Sequence, residues 1–280
     1  MSVPILDNHV HLEPRKGRNI DAVKDFERRG GTHVIVSHLP YDDLHVSSAE
    51  DYRRGFDVTV SLAELVNAET SVKAYATVGP YPVELLGLEK RHGLDKAKDI
   101  MVAGMDIAAE YVMEGKALAI GEVGRPHFEV SEQIWNASND ILAHAMARAR
   151  DADCAVVLHT ESGSVQTMKD LAQMADAARL ERERVVKHYC PPMILPEENF
   201  GLMPSVLAGR DTVMEALSKG SRFMMETDFL DDPERPGAVL AITTVPKRTL
   251  SLLEEGIMTE EQAYDIHVDN PRRVYGSGFE

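Results

Sequence analysis

The sequence predicts an α/β protein of the (β/α)8 TIM-barrel class, and three observations lead there. Eight short apolar runs alternate with segments whose apolar residues recur at helical spacing. Runs such as Val34-Ile35-Val36 and Ala155-Val156-Val157-Leu158 are continuously apolar, as parallel strands covered on both faces require. Five of the runs lead into a His, Glu or Asp, which would collect six polar side chains at one end of one sheet.

In chain order, the predicted strands are residues 3–9, 33–38, 72–78, 117–122, 155–159, 184–188, 202–206 and 222–228. The first carries His9 and His11 in Asp7-Asn8-His9-Val10-His11, and the fourth reaches Glu122 in Gly121-Glu122-Val123-Gly124. The fifth, sixth and eighth stop at His159, His188 and Asp228. Between strands, Ile100, Ala103, Ile107 and Tyr111 mark one helical face, and Ile141, Leu142, Ala145, Met146 and Ala149 mark another. Helices over 237–255 and 259–269 would complete the outer ring, with Asn270-Pro271 stopping the last because the residue before proline avoids the helical region. No stretch rich in Pro, Gly or Ser divides the chain, so residues 1–280 are expected to form a single domain. An open doubly wound sheet would draw its ligand residues from the strands flanking one switch point. Here strands 1, 4, 5, 6 and 8 all contribute, which favours a closed barrel.

Thirty basic against 46 acidic residues give a formal net charge of −16, which works against long polyanions, whose binding depends on Lys and Arg neutralising phosphates. A local basic pocket can still take one phosphate. Two cysteines, Cys154 and Cys190, cannot make a disulfide framework in a chain this long, and no apolar run approaches the roughly 20 residues of a membrane span. The start of the chain lacks the basic and apolar segments of a secretory signal. The expectation is a cytoplasmic protein acting on a small molecule, without membrane or extended nucleic-acid partners. No feature of the sequence sets an oligomeric state.

His9 and His11 are two apart on a strand, so both point to one face and can grip one ion from the barrel interior. A carboxylate at Glu122 can bridge two cations, with Gly121 and Gly124 expected to leave room for an ion and substrate. His159 and His188, as neutral imidazoles, suit a second ion such as zinc or manganese, with iron, cobalt, nickel or, less readily, magnesium also compatible with mixed donors. Asp228 can both touch the first ion and accept a proton from an activated water, which makes it the expected general base. Arg125 can fork onto a phosphate or carboxylate as a catalytic cation, or form a surface salt bridge. His38, His127 and Tyr189 are expected near the pocket. Glu226 shares a face with Asp228 one layer deeper, where it would orient a neighbour.

These residues resemble the TatD-related metal-dependent hydrolases of the amidohydrolase superfamily. That family carries His-x-His after strand 1, Gly-Glu-x-Gly after strand 4, a His after each of strands 5 and 6, and Thr-Asp after strand 8. All occur here in order, as His9-Val10-His11, Gly121-Glu122-Val123-Gly124, His159, His188 and Thr227-Asp228. The resemblance implies a (β/α)8 fold and a two-metal centre bridged by Glu122, with His9, His11 and Asp228 at one ion and His159 and His188 at the other. It also implies hydrolysis by a metal-activated water, on phosphodiesters in TatD nucleases and on amides or lactones in related enzymes. The chain departs from TatD nucleases at the pocket mouth. Gly124-Arg125-Pro126-His127 replaces the usual Gly-Leu-Asp-Tyr, and Phe229-Leu230-Asp231-Asp232 replaces the usual x-Pro-Tyr after Thr-Asp. The expected activity is therefore hydrolysis of a small phosphoester, amide or lactone. A TatD-type 3'-5' DNA exonuclease and a non-catalytic metal-binding regulatory barrel are the alternatives.

Overall fold

The computed structural model describes residues 3–41, 43–235, 237 and 239–276. Eight consecutive parallel strands run β1 (Leu6–His11), β2 (His33–Ser37), β3 (Lys73–Val78), β4 (Ala119–Gly124), β5 (Ala155–His159), β6 (Val185–Cys190), β7 (Met203–Leu207) and β8 (Met224–Glu226). A two-residue strand, β9 (Phe229–Leu230), follows β8 and pairs in parallel with β1, Val10 opposite Phe229 and His11 opposite Leu230. Because β8 pairs with β7 while β9 pairs with β1, the broken eighth strand closes the ring. Thr227, in the break, sends its backbone N–H and its hydroxyl to the two carboxylate oxygens of Asp7 at 3.0 and 2.7 Å, holding the seam shut.

Apolar side chains fill the barrel and also pack between its strands and the surrounding helices. Its interior holds Leu6, Ile35, Ala119, Ala155, Val157, Val186, Met203 and Met224, closed at the far end by Val274 and Tyr275 of the last helix. The larger cluster lies between strands and helices and includes Phe26, Phe56, Ile100, Leu142, Met146 and Leu171. Burial of strands on both faces is what the unbroken apolar runs predict.

The strand register fails where the polar side chains sit. Pairing shifts between Asp7 and Val10 in β1, between Gly121 and Val123 in β4, and between Lys187 and Cys190 in β6. His9, Glu122 and His188 fall inside these irregularities, which re-aim side chains as β-bulges do. Glu122 therefore lies within β4 rather than at its end, and β1 runs two residues past His9. Gly124 does not make room for an ion, as its sequence position suggested. At φ 141° a Cβ there would stand 2.2 Å from the His159 carbonyl oxygen, so glycine serves the approach of β4 to β5.

The C-terminal expectations need two corrections. The first helix spans Thr244–Glu254, not 237–255, of which residue 238 lies outside the described residues. Pro271 does not end the chain of helices. A π-helical turn at Asp265–Asp269 follows the helix Glu260–Tyr264 and resets the backbone, so that Pro271 falls in the first turn of a new helix, Asn270–Tyr275. A missing N–H is harmless there. Asn270 fastens this helix to the barrel by donating to the carbonyls of Ser221 at 2.7 Å and Phe223 at 2.9 Å.

Candidate active site

All six side chains singled out in the sequence meet at the strand ends around Glu122. Its Oε1 lies 3.3 Å from His9 Nε2, 3.3 Å from His159 Nδ1 and 3.0 Å from His188 Nε2, while Oε2 lies 3.8 Å from His11 Nε2. Asp228 Oδ1 stands 3.6 Å from His11 Nε2 and 4.0 Å from His9 Nε2. Asp228 and Tyr189 both sit at φ 50°, Asp228 between β8 and β9 and Tyr189 in the irregularity of β6; positive φ is tolerated by Asp and unusual for Tyr. Among the described residues, three groups have donor atoms mutually close enough to share an ion: His9, His11 and Asp228; His9, His188 and Glu226; and Glu122, His159 and His188.

The donor chemistry fits divalent cations. His11 Nδ1 donates to the Ser37 carbonyl at 3.1 Å, which leaves the Nε2 lone pair facing the site. His9 Nδ1 meets the Ser37 hydroxyl at 3.1 Å, and that hydroxyl accepts from Thr77 at 3.1 Å. His188 Nδ1 donates to Glu226 at 3.0 Å, a carboxylate–imidazole pair of the kind that orients metal-binding histidines. Two imidazole nitrogens, His9 Nε2 and His11 Nε2, converge to 3.2 Å deep inside the protein, which suits a shared cation better than any direct pairing.

Charge among these side chains is set by competition between burial and these contacts. Burial disfavours the charged His9, but Glu122, Glu226 and Asp228 outweigh it and raise the imidazole to about 9. Burial pushes Glu122 up, yet His188, His9 and His159 hold it well below the usual carboxylate range. Asp228 is likewise held low, burial being overcome by the neighbouring His11 and the charges of His188 and His9. Glu226 is fully buried, with Oε1 accepting from Tyr189 N–H at 2.7 Å and Oε2 from the Ser205 hydroxyl. Beyond it the chain of contacts continues from Ser205 to Asn8 at 3.0 Å and from Asn8 to the Tyr275 hydroxyl at 2.8 Å.

Arg125 is placed elsewhere. It is 3% exposed and faces the helix layer, with Nε donating to Asn139 at 2.7 Å, Nη1 to Glu161 at 2.9 Å, and its guanidinium stacked 4.6 Å from the Trp135 ring. The expected catalytic cation is thus neither in the pocket nor on the surface. His38 also turns away, into a core contact with Thr59 at 3.0 Å beside Phe56, and burial pulls its imidazole down to about 3. His127 does reach the site, its Nδ1 2.8 Å from His159 Nε2. Glu161 pairs with Arg125, and Cys190 is a buried free thiol.

A pocket of about 440 Å³ opens over these groups, with His11, Glu122, His159, His188 and Asp228 as its floor. Leu39, Pro40, Val83, Leu230 and Val239 form apolar walls, and Tyr81, Glu84 and Arg235 add polar groups. Tyr81 Oη lies 3.4 Å from His159 Nε2. Desolvation raises the Glu84 carboxyl to about 7, against the hydrogen bond from Tyr81 N–H and the charge of Arg91. Sequence reasoning passed over Tyr81, Glu84 and Arg235 because Tyr81 and Arg235 sit in loops after the third strand and the broken eighth, and Glu84 opens the helix Glu84–His92, with no motif of their own. The one available signal was position, since residues just beyond a barrel strand face its mouth.

The fold and the convergent His and carboxylate groups define a metal-dependent hydrolase of barrel type. The family described as TatD-related DNase matches residues 6–276, and the chain belongs to it. An uncharacterised protein of Methanocaldococcus jannaschii is 40% identical over 281 aligned residues, spanning 100% of this chain and 98% of the relative. Among solved structures, YJJV, a TatD homologue from Escherichia coli, superposes with a TM-score of 0.66 at 18% identity, covering 98% of this chain and 99% of that one. A variant of an organophosphorus hydrolase from Deinococcus radiodurans superposes at 0.64 with 16% identity, covering 98% and 94%. Among the described residues no helix is long and apolar enough to cross a membrane.

Proposed function

We propose that this chain, acting as one domain, hydrolyses a small phosphoester, amide or lactone at a centre of two divalent ions. The ions of choice are zinc or manganese, with His9, His11 and Asp228 at one, His159 and His188 at the other, and Glu122 between them. The observation that carries the reading is the convergence of three imidazole nitrogens on a single Glu122 oxygen beneath a pocket of about 440 Å³. Ions held there would acidify a water and polarise the scissile carbonyl or phosphoryl oxygen. Asp228, ionised across the neutral range because its carboxyl is held low, accepts the water's proton and returns it to the leaving group. Glu226 fixes the ring of His188, and Ser37 fixes those of His9 and His11. Arg235 supplies the pocket's charge complement in place of Arg125, since it is the one Arg or Lys among the described lining residues. Arg125 acts behind the site, holding Glu161 and the loop that follows His159.

The family description favours a second reading, a TatD-type DNA exonuclease. Apolar walls, a single cationic residue among the described lining and a net charge of −16 favour the small substrate. Elemental analysis of the purified chain, paired with turnover of an aryl phosphomonoester, phosphodiester, lactone, amide and single-stranded DNA, tests both. Two transition-metal ions per chain and turnover confined to small substrates is the expected result. Efficient DNA trimming with inert small substrates would replace the proposal with the second reading, and failure to bind metal after reconstitution would overturn the centre itself.

A further inference from the structure

Two features have no part in the reaction outlined above: the segment Gly124-Arg125-Pro126-His127, where the chain departs from the family pattern, and the buried Lys187. They meet at a second lobe of the cleft. This cavity of about 340 Å³ is lined by His127, Thr160, Ser162, Lys187 and Tyr189, and it shares His159, His188 and Asp228 with the main pocket or its floor. The proposed metal centre therefore lies between two spaces, the second of them lined only by residues with polar side chains.

The charge around the polar lobe does not balance. Lys187 is 1% exposed, and its Nζ donates to the His188 carbonyl at 2.6 Å. An ammonium carries three N–H donors. Among the described residues this one has a single acceptor, and no carboxylate comes within ion-pair distance. Arg125, also buried, takes Oε1 of Glu161 at 2.9 Å, while Glu161 Oε2 is buried without a hydrogen-bond partner. Burial pulls the Lys187 ammonium below its usual value, only partly opposed by Cys190 and the acids Glu226, Glu161 and Glu122, and Glu226 is already engaged by His188, Tyr189 N–H and Ser205. Among the described residues Arg125 thus has a carboxylate partner and Lys187 has none within ion-pair distance, and a buried ammonium so placed is costly unless something pairs with it. Ser162 and Tyr189 line the same lobe, and their hydroxyls have no hydrogen-bond partner among the described residues; both residues are exposed, Tyr189 to 50%.

We infer that this lobe is an oxyanion subsite, which seats a phosphate or carboxylate group carried by the substrate beyond the scissile bond. Lys187 is its charged donor, and Ser162 and Tyr189 are its neutral ones. Charge-assisted hydrogen bonds to an anion would supply the acceptors that Lys187 lacks. The inference rests on the hydrolase reading for its substrate, while the binding of an anion can be measured without turnover.

Inorganic phosphate is the probe, titrated calorimetrically into the purified full chain with its metals and again after chelation. Lys187→Met should weaken phosphate binding at least tenfold in both states, and Ser162→Ala or Tyr189→Phe severalfold. Phosphate held by metal ions alone would bind Lys187→Met as tightly as wild type and vanish on chelation, which overturns the subsite. If the chain binds no metal, the Lys187-dependent binding should persist, so failure of the metal centre and failure of the subsite are read separately. Should Lys187→Met not fold, as its thermal transition would reveal, the two hydroxyl variants carry the test, and unchanged phosphate affinity in both overturns the subsite.

Discussion

Replacing Glu226 by Gln tests whether the buried carboxylate behind His188 sets metal affinity through its charge. The amide can keep the geometry. Its oxygen can occupy the Oε1 position, accepting from His188 Nδ1 at 3.0 Å and from Tyr189 N–H at 2.7 Å. Its NH2 group then faces the Ser205 hydroxyl, which already accepts from Asn8 at 3.0 Å and loses the acceptor for its own O–H. Loss of the negative charge leaves His188 a weaker donor to any cation, and carboxylates paired this way are worth about 10- to 100-fold in metal affinity, or roughly 1.4–2.7 kcal/mol. Stability of the metal-free protein should change little, because one strained contact of about 1 kcal/mol is lost while a fully buried charge is removed. Competition with a chromophoric chelator measures the first quantity, and urea unfolding in chelator measures the second. Wild-type zinc affinity in Glu226→Gln would refute the assignment of His188. Equal losses of affinity and stability would mean that Glu226 only holds the strands together.

The remaining predictions address the base, the pocket cation and two titrations. Asp228→Asn should lower kcat by at least about 100-fold, at the lower end of what general bases contribute, with far-UV circular dichroism unchanged; normal turnover would remove the proposed base. Arg235→Gln should raise KM for anionic substrates by about tenfold and leave a neutral lactone unaffected, which steady-state kinetics on both will show. Because His9 in the metal-free protein is raised to about 9, cation uptake must expel its proton, so zinc affinity should climb about tenfold per pH unit between about pH 6 and 8. His267 behaves oppositely: burial lowers it to about 4, so the neutral ring contributes stability above the unfolded value of 6.5 and that stability is lost as pH falls toward 4. At pH 5 the loss is about 2 kcal/mol, and His267→Gln, which keeps a partner for Thr249, should flatten the urea-midpoint difference between pH 7.5 and 5 by that amount.

The barrel could be read from the sequence because its strands are buried on both faces and its helices carry one apolar stripe. The site was legible for a related reason, since a polar residue that ends an apolar run has few other uses. The misreadings come from chain geometry that composition does not encode. Arg125 follows Gly124, and the approach of β4 to β5 that requires glycine there sends the arginine to the helix layer beside Trp135. The break in the eighth strand depends on Thr227 bonding Asp7, a contact across 220 residues that no local pattern reports. Pro271 looked like a helix stop because the π-helical turn before it leaves no trace in hydrophobic spacing.

The net acidity of the chain and the positive character proposed for its cleft are compatible because they act over different distances. At physiological salt the surface charges are screened beyond about 8 Å, so the −16 formal charge governs how the protein meets extended molecules lying across its surface. A long polyanion would have to pass much of its charge over that acidic exterior. A small anion that enters the cleft exchanges it for Arg235 at the mouth, Lys187 in the side lobe and the cations proposed between them. Size and charge together would then select the substrate: an apolar body against Leu39, Val83 and Leu230, a scissile bond over Glu122, and an anionic group reaching past His188 toward Lys187.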